Sequence, residues 1–274
     1  MPAHAHRARP YGLPMSIELD LTGRTAIVTG GAKGIGLGIA RAFREAGAQV
    51  SVWGRDQETA GRVAAEIGAH AAGCDVRDRA RVEAALADTV AALGNVHIVV
   101  TAAGRGAGLR PFLELPEAEW QDVLETNLTG VFRTCQVVGC HMAEHGEGGK
   151  MVLLSSVRAA MGAPVASDYA ATKGGLESML RCMAMSLAPH DIQVNAVRPG
   201  WIRTEMTKRM WSNPEQGSAP TAAVPAGRWG EPADLAGLVT YLVSPLASFH
   251  TGDVITVDGG LTAAAGGETR LGEP

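Results

Sequence analysis

The sequence predicts an α/β fold in which helices flank one doubly wound parallel sheet. Short apolar runs of strand length alternate with longer helical runs along most of the chain, and a glycine-rich turn joins the first strand to the first helix. Helices of ten or more residues between strands indicate a parallel sheet, because parallel neighbours need a long crossover connection. The chain has 274 residues and no visible internal repeat, so we expect a single domain.

Apolar runs of four or five residues are the predicted strands. In chain order they cover residues 25–28, 50–53, 71–74, 96–100, 151–154, 194–197 and 254–257. Amphipathic runs between them predict helices over residues 37–46, 57–67, 79–93, 118–145, 169–187 and 233–242. The fourth of these helices contains Asn127. An interior asparagine lowers helix propensity, so we expect a break there, with the amide either exposed or bonded to a specific partner.

The turn after the first predicted strand contains Gly30, Gly34 and Gly36 in the spacing Gly-x-x-x-Gly-x-Gly. Glycine lets the backbone turn tightly and approach a pyrophosphate, whose charge is stabilised at a helix N-terminus. The spacing differs from the Gly-x-Gly-x-x-Gly of the usual dinucleotide fingerprint. A glycine turn is also an ordinary strand-to-helix connection, but its place between a strand and a helix favours nucleotide binding.

A phenol and an ammonium group stand four residues apart, at Tyr169 and Lys173. On a helix this spacing puts both side chains on one face. A phenol has a pKa near 10, and a cation about 4 Å away lowers it usefully only in a cleft that partly excludes water. The alternative to a functional pair is a surface helix on which Tyr169 and Lys173 merely contact each other. Ser156, at the end of a predicted strand, points to a cleft, because ligands of open α/β sheets bind beyond the carboxyl ends of strands.

Taken together, these motifs resemble those of the short-chain dehydrogenase/reductase superfamily, over about residues 20–262 and in its 3-oxoacyl-reductase and sugar-dehydrogenase-like branch. The resemblance covers the glycine turn, the pair Asp75-Val76, Pro199-Gly200 and the closing segment 251–260. It also covers Asn127, Ser156, Tyr169 and Lys173. It implies a Rossmann-type fold. In one departure, the usual Asn-Asn-Ala-Gly after the fourth strand is replaced by Thr101-Ala102-Ala103-Gly104, so any asparagine contact there is lost.

The resemblance implies catalytic roles for four residues. Tyr169 would exchange a proton with a carbonyl or alcohol oxygen that Ser156 also binds. Lys173 would lower the pKa of Tyr169 and hold the ribose of a nicotinamide cofactor, and Asn127 would order a water that connects Lys173 to solvent. The residues expected to bind the cofactor are Gly30, Lys33, Gly34, Ile35, Gly36, Arg55, Asp75, Val76, Ala102, Ala103, Gly104, Tyr169, Lys173, Pro199, Gly200, Ile202 and Thr204.

The end of the second strand bears on the choice between NADP(H) and NAD(H). Members of the family that use NAD usually carry an acidic residue there, which binds the ribose 2′-hydroxyl. Here the position is Gly54, followed by Arg55, whose guanidinium suits a 2′-phosphate. Lys33 in the glycine turn adds a second positive charge, whereas Asp56 adds a negative one. The sequence therefore favours NADP(H) and leaves NAD(H) possible.

Composition excludes other classes of partner. A net charge of −4 without a basic cluster gives no electrostatic footprint for nucleic acid. No apolar run reaches the roughly 18 residues of a membrane span. The four cysteines lack metal-ligand spacing and fit reduced thiols in a cytoplasmic protein.

The segment His141-Met142-Ala143-Glu144-His145 matches a zinc-peptidase pattern. It falls at a predicted helix C-terminus, where the helix dipole stabilises histidine. We therefore expect no metal.

Residues 1–14 have no apolar core, and we expect a disordered extension rather than a secretory signal, followed by a single domain over residues 15–274. Residues 200–230 form a long connection, rich in tryptophan and methionine, that we expect to be a substrate loop without clear secondary structure. Its apolar side chains would contact a small-molecule substrate or a neighbouring subunit. Arg105, Arg110 and Arg158 could face the pocket mouth and attract an anion, although loop arginines are usually solvated.

The expected protein is a homotetrameric oxidoreductase that acts on a simple alcohol, a sugar or polyol, or a 3-oxoacyl thioester. Two alternatives stay open at this point. One is a catalytically silent nucleotide-binding protein of the same fold, with a regulatory or assembly role. The other is a dehydratase or epimerase of nucleotide sugars, whose larger C-terminal region this chain lacks, since about 75 residues follow Pro199-Gly200.

Overall fold

The computed structural model describes residues 19–264, with the backbone alone for residues 214–216, 219 and 220. Within this range the strands form one parallel sheet in the order β3-β2-β1-β4-β5-β6-β7. The strands are β1 (Thr25–Thr29), β2 (Gln49–Gly54), β3 (His70–Gly73), β4 (Ile98–Thr101), β5 (Gly149–Leu154), β6 (Ile192–Pro199) and β7 (Val254–Val257). The direction of winding reverses between β1 and β4, which confirms the doubly wound fold.

Helices cover both faces of the sheet. They are α1 (Gly34–Glu45), α2 (Gln57–Ile67), α3 (Arg79–Leu93), α4 (Glu117–Leu124), α5 (Gly130–His145), α6 (Ser167–Leu187), α7 (Lys208–Trp211), α8 (Pro214–Ala223) and α9 (Pro232–Val243). None of the helices within residues 19–264 combines the length and the apolar character that a membrane crossing needs. The expected extension at residues 1–14 lies outside the described residues.

Alternation along the strands divides the core into two layers, because successive side chains point to opposite faces of a sheet. Ile27 of β1 packs with buried residues of α3, α5 and α6 on one face. Its neighbours Ala26 and Val28 pack with α1 and α9 on the other face. Both faces of the central strands are therefore apolar, as expected for a parallel sheet that is covered on both sides.

The helix predicted over residues 118–145 is interrupted where the sequence indicates a break. Helix α4 ends at Leu124, a π-helical turn covers Glu125–Thr129, and α5 begins at Gly130. Single π-helical turns inside α-helices occur frequently at functional sites. The π turn contains Asn127 and places it in the interior of the protein.

The connection after β6 is more regular than expected. It contains the short helices α7 and α8, so the prediction of a segment without clear secondary structure is wrong at this point. Sequence patterns missed α8 because the run 214–223 is rich in alanine and proline and has no apolar stripe.

Candidate active site

The glycine turn brings the ends of β1 and β4 into backbone contact. Gly30 has a φ of 65°, and a Cβ atom there would lie 2.9 Å from the carbonyl oxygen of Ala102 and from the nitrogen of Ala103. A Cβ at Gly36 would lie 2.5 Å from the carbonyl oxygen of Gly30. A side chain at Gly30 would force the chain after β4 away from the turn, and one at Gly36 would force the start of α1 away from the turn, so both glycines are needed for these close approaches.

The N-terminus of α1 faces this turn with its backbone N–H groups uncovered by side chains. Lys33 is the N-cap residue in an extended conformation, and within the described residues no side chain caps the helix and no acidic residue stands in its first turn. The methyl group of Thr204 lies 3.0 Å from the position of a Cβ at Gly34. The segment after β6 therefore crosses the glycine turn, and an anion at this helix end would be favoured by the helix dipole.

The structure brings together Ser156, Tyr169 and Lys173. Helix α6 carries the last two, and the Lys173 Nζ lies 5.5 Å from the centroid of the Tyr169 ring. Lys173 is 5% exposed, and its Nζ donates a hydrogen bond of 2.6 Å to the carbonyl oxygen of Leu154, the last residue of β5. Ser156 follows two residues later and forms a hydrogen bond with the phenol of Tyr169.

Burial dominates the electrostatics of this group. It raises the pKa of the Tyr169 phenol, and the hydrogen bond with Ser156 and the positive charge of Arg158 offset only part of that rise. Burial also lowers the pKa of Lys173 to about 8. The sequence-based expectation that Lys173 lowers the pKa of Tyr169 is not borne out here. The ammonium group donates to the Leu154 carbonyl and lies over the ring rather than at the phenol oxygen.

Asn127 is completely buried, and its amide is bonded to a specific partner. Its Oδ1 accepts from the backbone N–H of Arg105 at 2.7 Å, and its Nδ2 donates to the carbonyl oxygen of the same residue at 2.8 Å. Asn127 thereby holds the chain that leaves β4. The expected link from Asn127 through a water to Lys173 stays a prediction.

A charged network that sequence reasoning missed joins α6 to β6 and to the end of β5 next to the site. Glu177 of α6 forms a bidentate ion pair with Arg198 of β6, at 2.9 and 2.6 Å, and accepts a hydrogen bond of 2.6 Å from Ser155. Burial alone would raise the pKa of Glu177, but these bonds outweigh it and the pKa is lowered. A signal existed in the sequence, because Glu177 lies four residues after Lys173 and so shares its helix face.

The residues expected around an adenosine group lie at the ends of β2 and β3. Arg55 is exposed, and Asp56 caps α2 by accepting from the backbone N–H of Thr59 at 3.1 Å. Asp75 pairs with Arg77, whose Nη2 lies 2.6 Å from the carboxylate, and this pair lowers the pKa of Asp75. The carboxylate of Asp75 is therefore already engaged, a feature that its position in the sequence does not reveal.

The other residues expected at the cofactor lie near the same edge of the sheet. Val76 is buried and would contact a Cβ at Gly130, the first residue of α5. Pro199 ends β6, and Gly200 packs closely against Asp258. Ile202 is buried and forms a bridge with Gly230. Ile35 lies in the first turn of α1, and the backbone N–H of Ala103 donates to the Thr29 hydroxyl at 3.1 Å.

The segment 201–230 contains a pair of packed tryptophan rings and lines a cavity. The rings of Trp201 and Trp229 lie 5.5 Å apart, and a cavity of ≈ 390 Å³ opens between Trp229, Trp211 and Arg203. The lining of this cavity comes from the segment itself rather than from Ser156 or Tyr169. The cavity is therefore separate from the group of Ser156, Tyr169 and Lys173.

The histidine pattern at the end of α5 has a structural role. The Nε2 atom of His141 accepts a hydrogen bond of 3.1 Å from the backbone N–H of Val96, and the Nδ1 atom of His145 bonds the carbonyl oxygen of His141 at 2.9 Å. Across the described part of the chain, no cluster of three potential metal ligands is present.

Comparisons with known proteins agree with this geometry. A family model described as enoyl-(acyl carrier protein) reductase matches residues 30–262. An L-rhamnose 1-dehydrogenase (NAD(P)(+)) of Azotobacter vinelandii is 38% identical over 250 residues, which are 88% of this chain and 97% of the relative. A 3-oxoacyl-[acyl-carrier-protein] reductase of Vibrio cholerae is 36% identical over 245 residues, 89% of this chain and 99% of the relative.

Solved structures give the same result. A gluconate 5-dehydrogenase from Burkholderia cenocepacia, in complex with NADP and tartrate, has a TM-score of 0.85 and 34% sequence identity, with 90% of this chain and 98% of that chain covered. The protein therefore belongs to the short-chain dehydrogenase/reductase superfamily. Within it, the chain falls in the branch of sugar dehydrogenases and 3-oxoacyl reductases and is an NAD(P)-dependent oxidoreductase. The relatives do not support a catalytically silent protein.

Breaking the Glu177–Arg198 pair should destabilise the protein. Arg198→Met leaves a carboxylate that is 10% exposed without its partner, and we expect a loss of about 3 kcal/mol in the free energy of unfolding, measured by urea denaturation. The Glu177→Leu/Arg198→Met double variant should recover part of it. Arg62→Met, which breaks an exposed pair with Glu66, is the control and should change stability by no more than about 0.5 kcal/mol. Equal losses in the two single variants would contradict this account.

The buried amine of Lys173 should make stability depend on pH. The pKa is about 8 in the folded protein against 10.5 as a model value, so the unfolded chain binds more protons between these values. The unfolding free energy of the wild type, relative to Lys173→Met, should rise by up to about 3 kcal/mol from pH 8 to pH 10.5 and stay flat below pH 8. Denaturation without added cofactor measures this difference, and a difference that falls with pH would refute the assignment.

Proposed function

We propose that Tyr169 is the general acid and base of this oxidoreductase and that Ser156 binds the reacting oxygen. The observation that carries the proposal is the half-buried hydrogen-bonded pair of the phenol and the Ser156 hydroxyl, beside the buried amine of Lys173. Because burial raises the pKa of the phenol, Tyr169 is protonated at neutral pH and ready to donate its proton to a carbonyl oxygen. Ser156 stabilises the charge that develops on that oxygen.

The residues at the glycine turn fit a nicotinamide dinucleotide. The cradle between Gly30, Gly36 and Ala102 has no room for a Cβ, and the uncapped N-terminus of α1 faces it. A pyrophosphate there would accept hydrogen bonds from backbone N–H groups. When bound, the cofactor would supply or accept the hydride, and the protein would supply position and electrostatics. The segment from Gly200 to Thr204 would cover the nicotinamide end.

Lys173 would hold the ribose hydroxyls of the cofactor and supply positive charge near Tyr169. The amine lies next to the phenol ring already, and its hydrogen bond to Leu154 orients it toward the end of β5. Asn127 would act as a positioning residue that holds Arg105 and the chain after β4 at the site.

We propose NADP(H) as the preferred cofactor. Arg55 is exposed at the end of β2, and its charge contributes to the lowered pKa of Asp75. The carboxylate of Asp56, which would repel a 2′-phosphate, is bonded to Thr59 at the start of α2. Lys33 lies close enough to Asp56 to lower its pKa. Two cations beside one carboxylate that is engaged by Thr59 therefore favour a 2′-phosphate over a hydroxyl.

We further propose a cytoplasmic homotetramer with residues 200–230 as the substrate loop. Apolar side chains that a partner would cover are exposed on several elements: Phe132 at 45%, Met185 at 81% and Phe249 at 101%. The cysteines of the described part are free thiols, which suits a reducing compartment. A single-chain mass by light scattering would refute the tetramer, and disulfides in the purified protein would speak against the compartment.

Tyr169→Phe should abolish turnover while leaving cofactor binding nearly intact. The variant removes the proton that the reaction needs, and we expect kcat to fall by roughly 100-fold or more. Absorbance of NADPH and NADH, followed against a panel of ketones, ketoses and 3-oxoacyl esters, measures turnover, and cofactor fluorescence measures binding. Tyr241→Phe on α9 is the matched control and should retain activity. Substantial activity in Tyr169→Phe would contradict the proposal.

Arg55→Gln should lower kcat/KM for NADPH by roughly 10- to 100-fold, because a charged hydrogen bond to phosphate is lost. The value for NADH should change little. Steady-state kinetics with both cofactors check this, and Arg62→Gln on α2 serves as the control. Equal losses with the two cofactors would show that Arg55 does not read the 2′-phosphate.

A further inference from the structure

Three arginines lie in the loops that follow β4 and β5, and their charges are compensated differently. Arg105 pairs with Asp122, and Arg110 pairs with Glu119 at 2.8 Å, so helix α4 neutralises both. Arg158 has no carboxylate partner among the described residues. Its positive charge is therefore available to a ligand.

Arg158 is also held in place. Its Nη1 donates to the carbonyl oxygen of Gly162 at 3.2 Å, and its guanidinium carbon lies 5.5 Å from the centroid of the Trp201 ring. Within residues 19–264, the other nitrogens of the guanidinium have no hydrogen-bond acceptor. A guanidinium that is already held over an indole ring loses little further freedom when it binds a ligand, and its free edge presents parallel N–H groups that match a carboxylate.

Its position ties Arg158 to the reacting group. It lies two residues after Ser156, on the turn Val157–Ala159, and its charge reaches the phenol of Tyr169. Trp201, whose ring the guanidinium faces, begins the segment that follows β6. A substrate whose carbonyl oxygen lies between Ser156 and Tyr169 therefore passes close to Arg158.

We propose that Arg158 binds a carboxylate of the substrate, so that the enzyme acts on a keto acid or hydroxy acid rather than on a neutral sugar. This inference rests on the proposed function of Ser156 and Tyr169. Arg158 lies beside the Ser156–Tyr169 pair and not within it. The substrate would therefore carry two separate groups, a carbonyl that reacts at the pair and a carboxylate on another carbon that binds Arg158. Arg158 would set specificity, while the proton transfer stays with Tyr169.

The test compares two ketones that differ in a single group. 5-Keto-D-gluconate carries a carboxylate where L-sorbose carries a hydroxymethyl group, and the carbon skeleton is otherwise the same. The ratio of kcat/KM for the two is measured with NADPH in the wild type, Arg158→Gln, Arg158→Lys and the control Arg110→Gln. Inhibition by D-gluconate and by D-glucitol, against any ketone that the wild type reduces, gives a second readout.

We expect the wild type to prefer the keto acid, and Arg158→Gln to lower the ratio by roughly 10- to 100-fold, mainly through the KM of the keto acid. Arg158→Lys keeps a charge without the planar fork, so its ratio should lie between those of the wild type and Arg158→Gln. Arg110→Gln should leave the ratio unchanged. D-Gluconate should inhibit the wild type better than D-glucitol, and Arg158→Gln should lose this difference.

Equal losses on both ketones in Arg158→Gln would overturn the inference, because a residue that only tunes Tyr169 or supports the fold affects both substrates alike. A wild type that reduces neutral ketones and shows no preference in either readout would also overturn it, while the proposed function would stand. A wild type that reduces no ketone with either cofactor would refute the proposed function itself.

Discussion

A charged amine inside the protein is the constraint on which the site depends. Lys173 is almost completely buried, and removing an ammonium group from water is costly unless hydrogen bonds replace the lost solvent. The carbonyl oxygen of Leu154 provides one such bond, which ties α6 to the end of β5. The amine therefore stays beside Tyr169 only while the helix and the strand stay packed. The same hydrogen bond thus stabilises the packing of α6 on β5 and sets the geometry of the candidate site.

The parallel sheet explains why distant segments share one site. All parallel strands end at the same edge, so the glycine turn, the chain after β4, Ser156 and the segment after β6 converge there. Convergence requires the backbones to approach closely, and the contact of Gly30 with Ala102 and Ala103 meets this need. A second layer of polar contacts holds the strand ends, through Asn127 on one side and Glu177 on the other.

Several local features followed from sequence patterns because they depend on nearest neighbours. The break at Asn127 was predictable since an interior asparagine is a poor helix former, and the structure relieves it with a π turn. The partner of the amide was not predictable, because Arg105 is distant in the sequence. Likewise the spacing of Tyr169 and Lys173 predicted a shared helix face, but their pKa values depend on burial by other segments.

The sequence by itself determined the alternation of strands and helices, the glycine turn and the set of candidate catalytic residues. Each of these rests on spacing along the chain, and spacing is a local property. Only the tertiary structure decided which charges are compensated. Arg105 and Arg110 lie against α4 carboxylates, whereas Arg158 lies against Trp201. The energy of an ion depends on the groups that fold around it and on how much water they exclude.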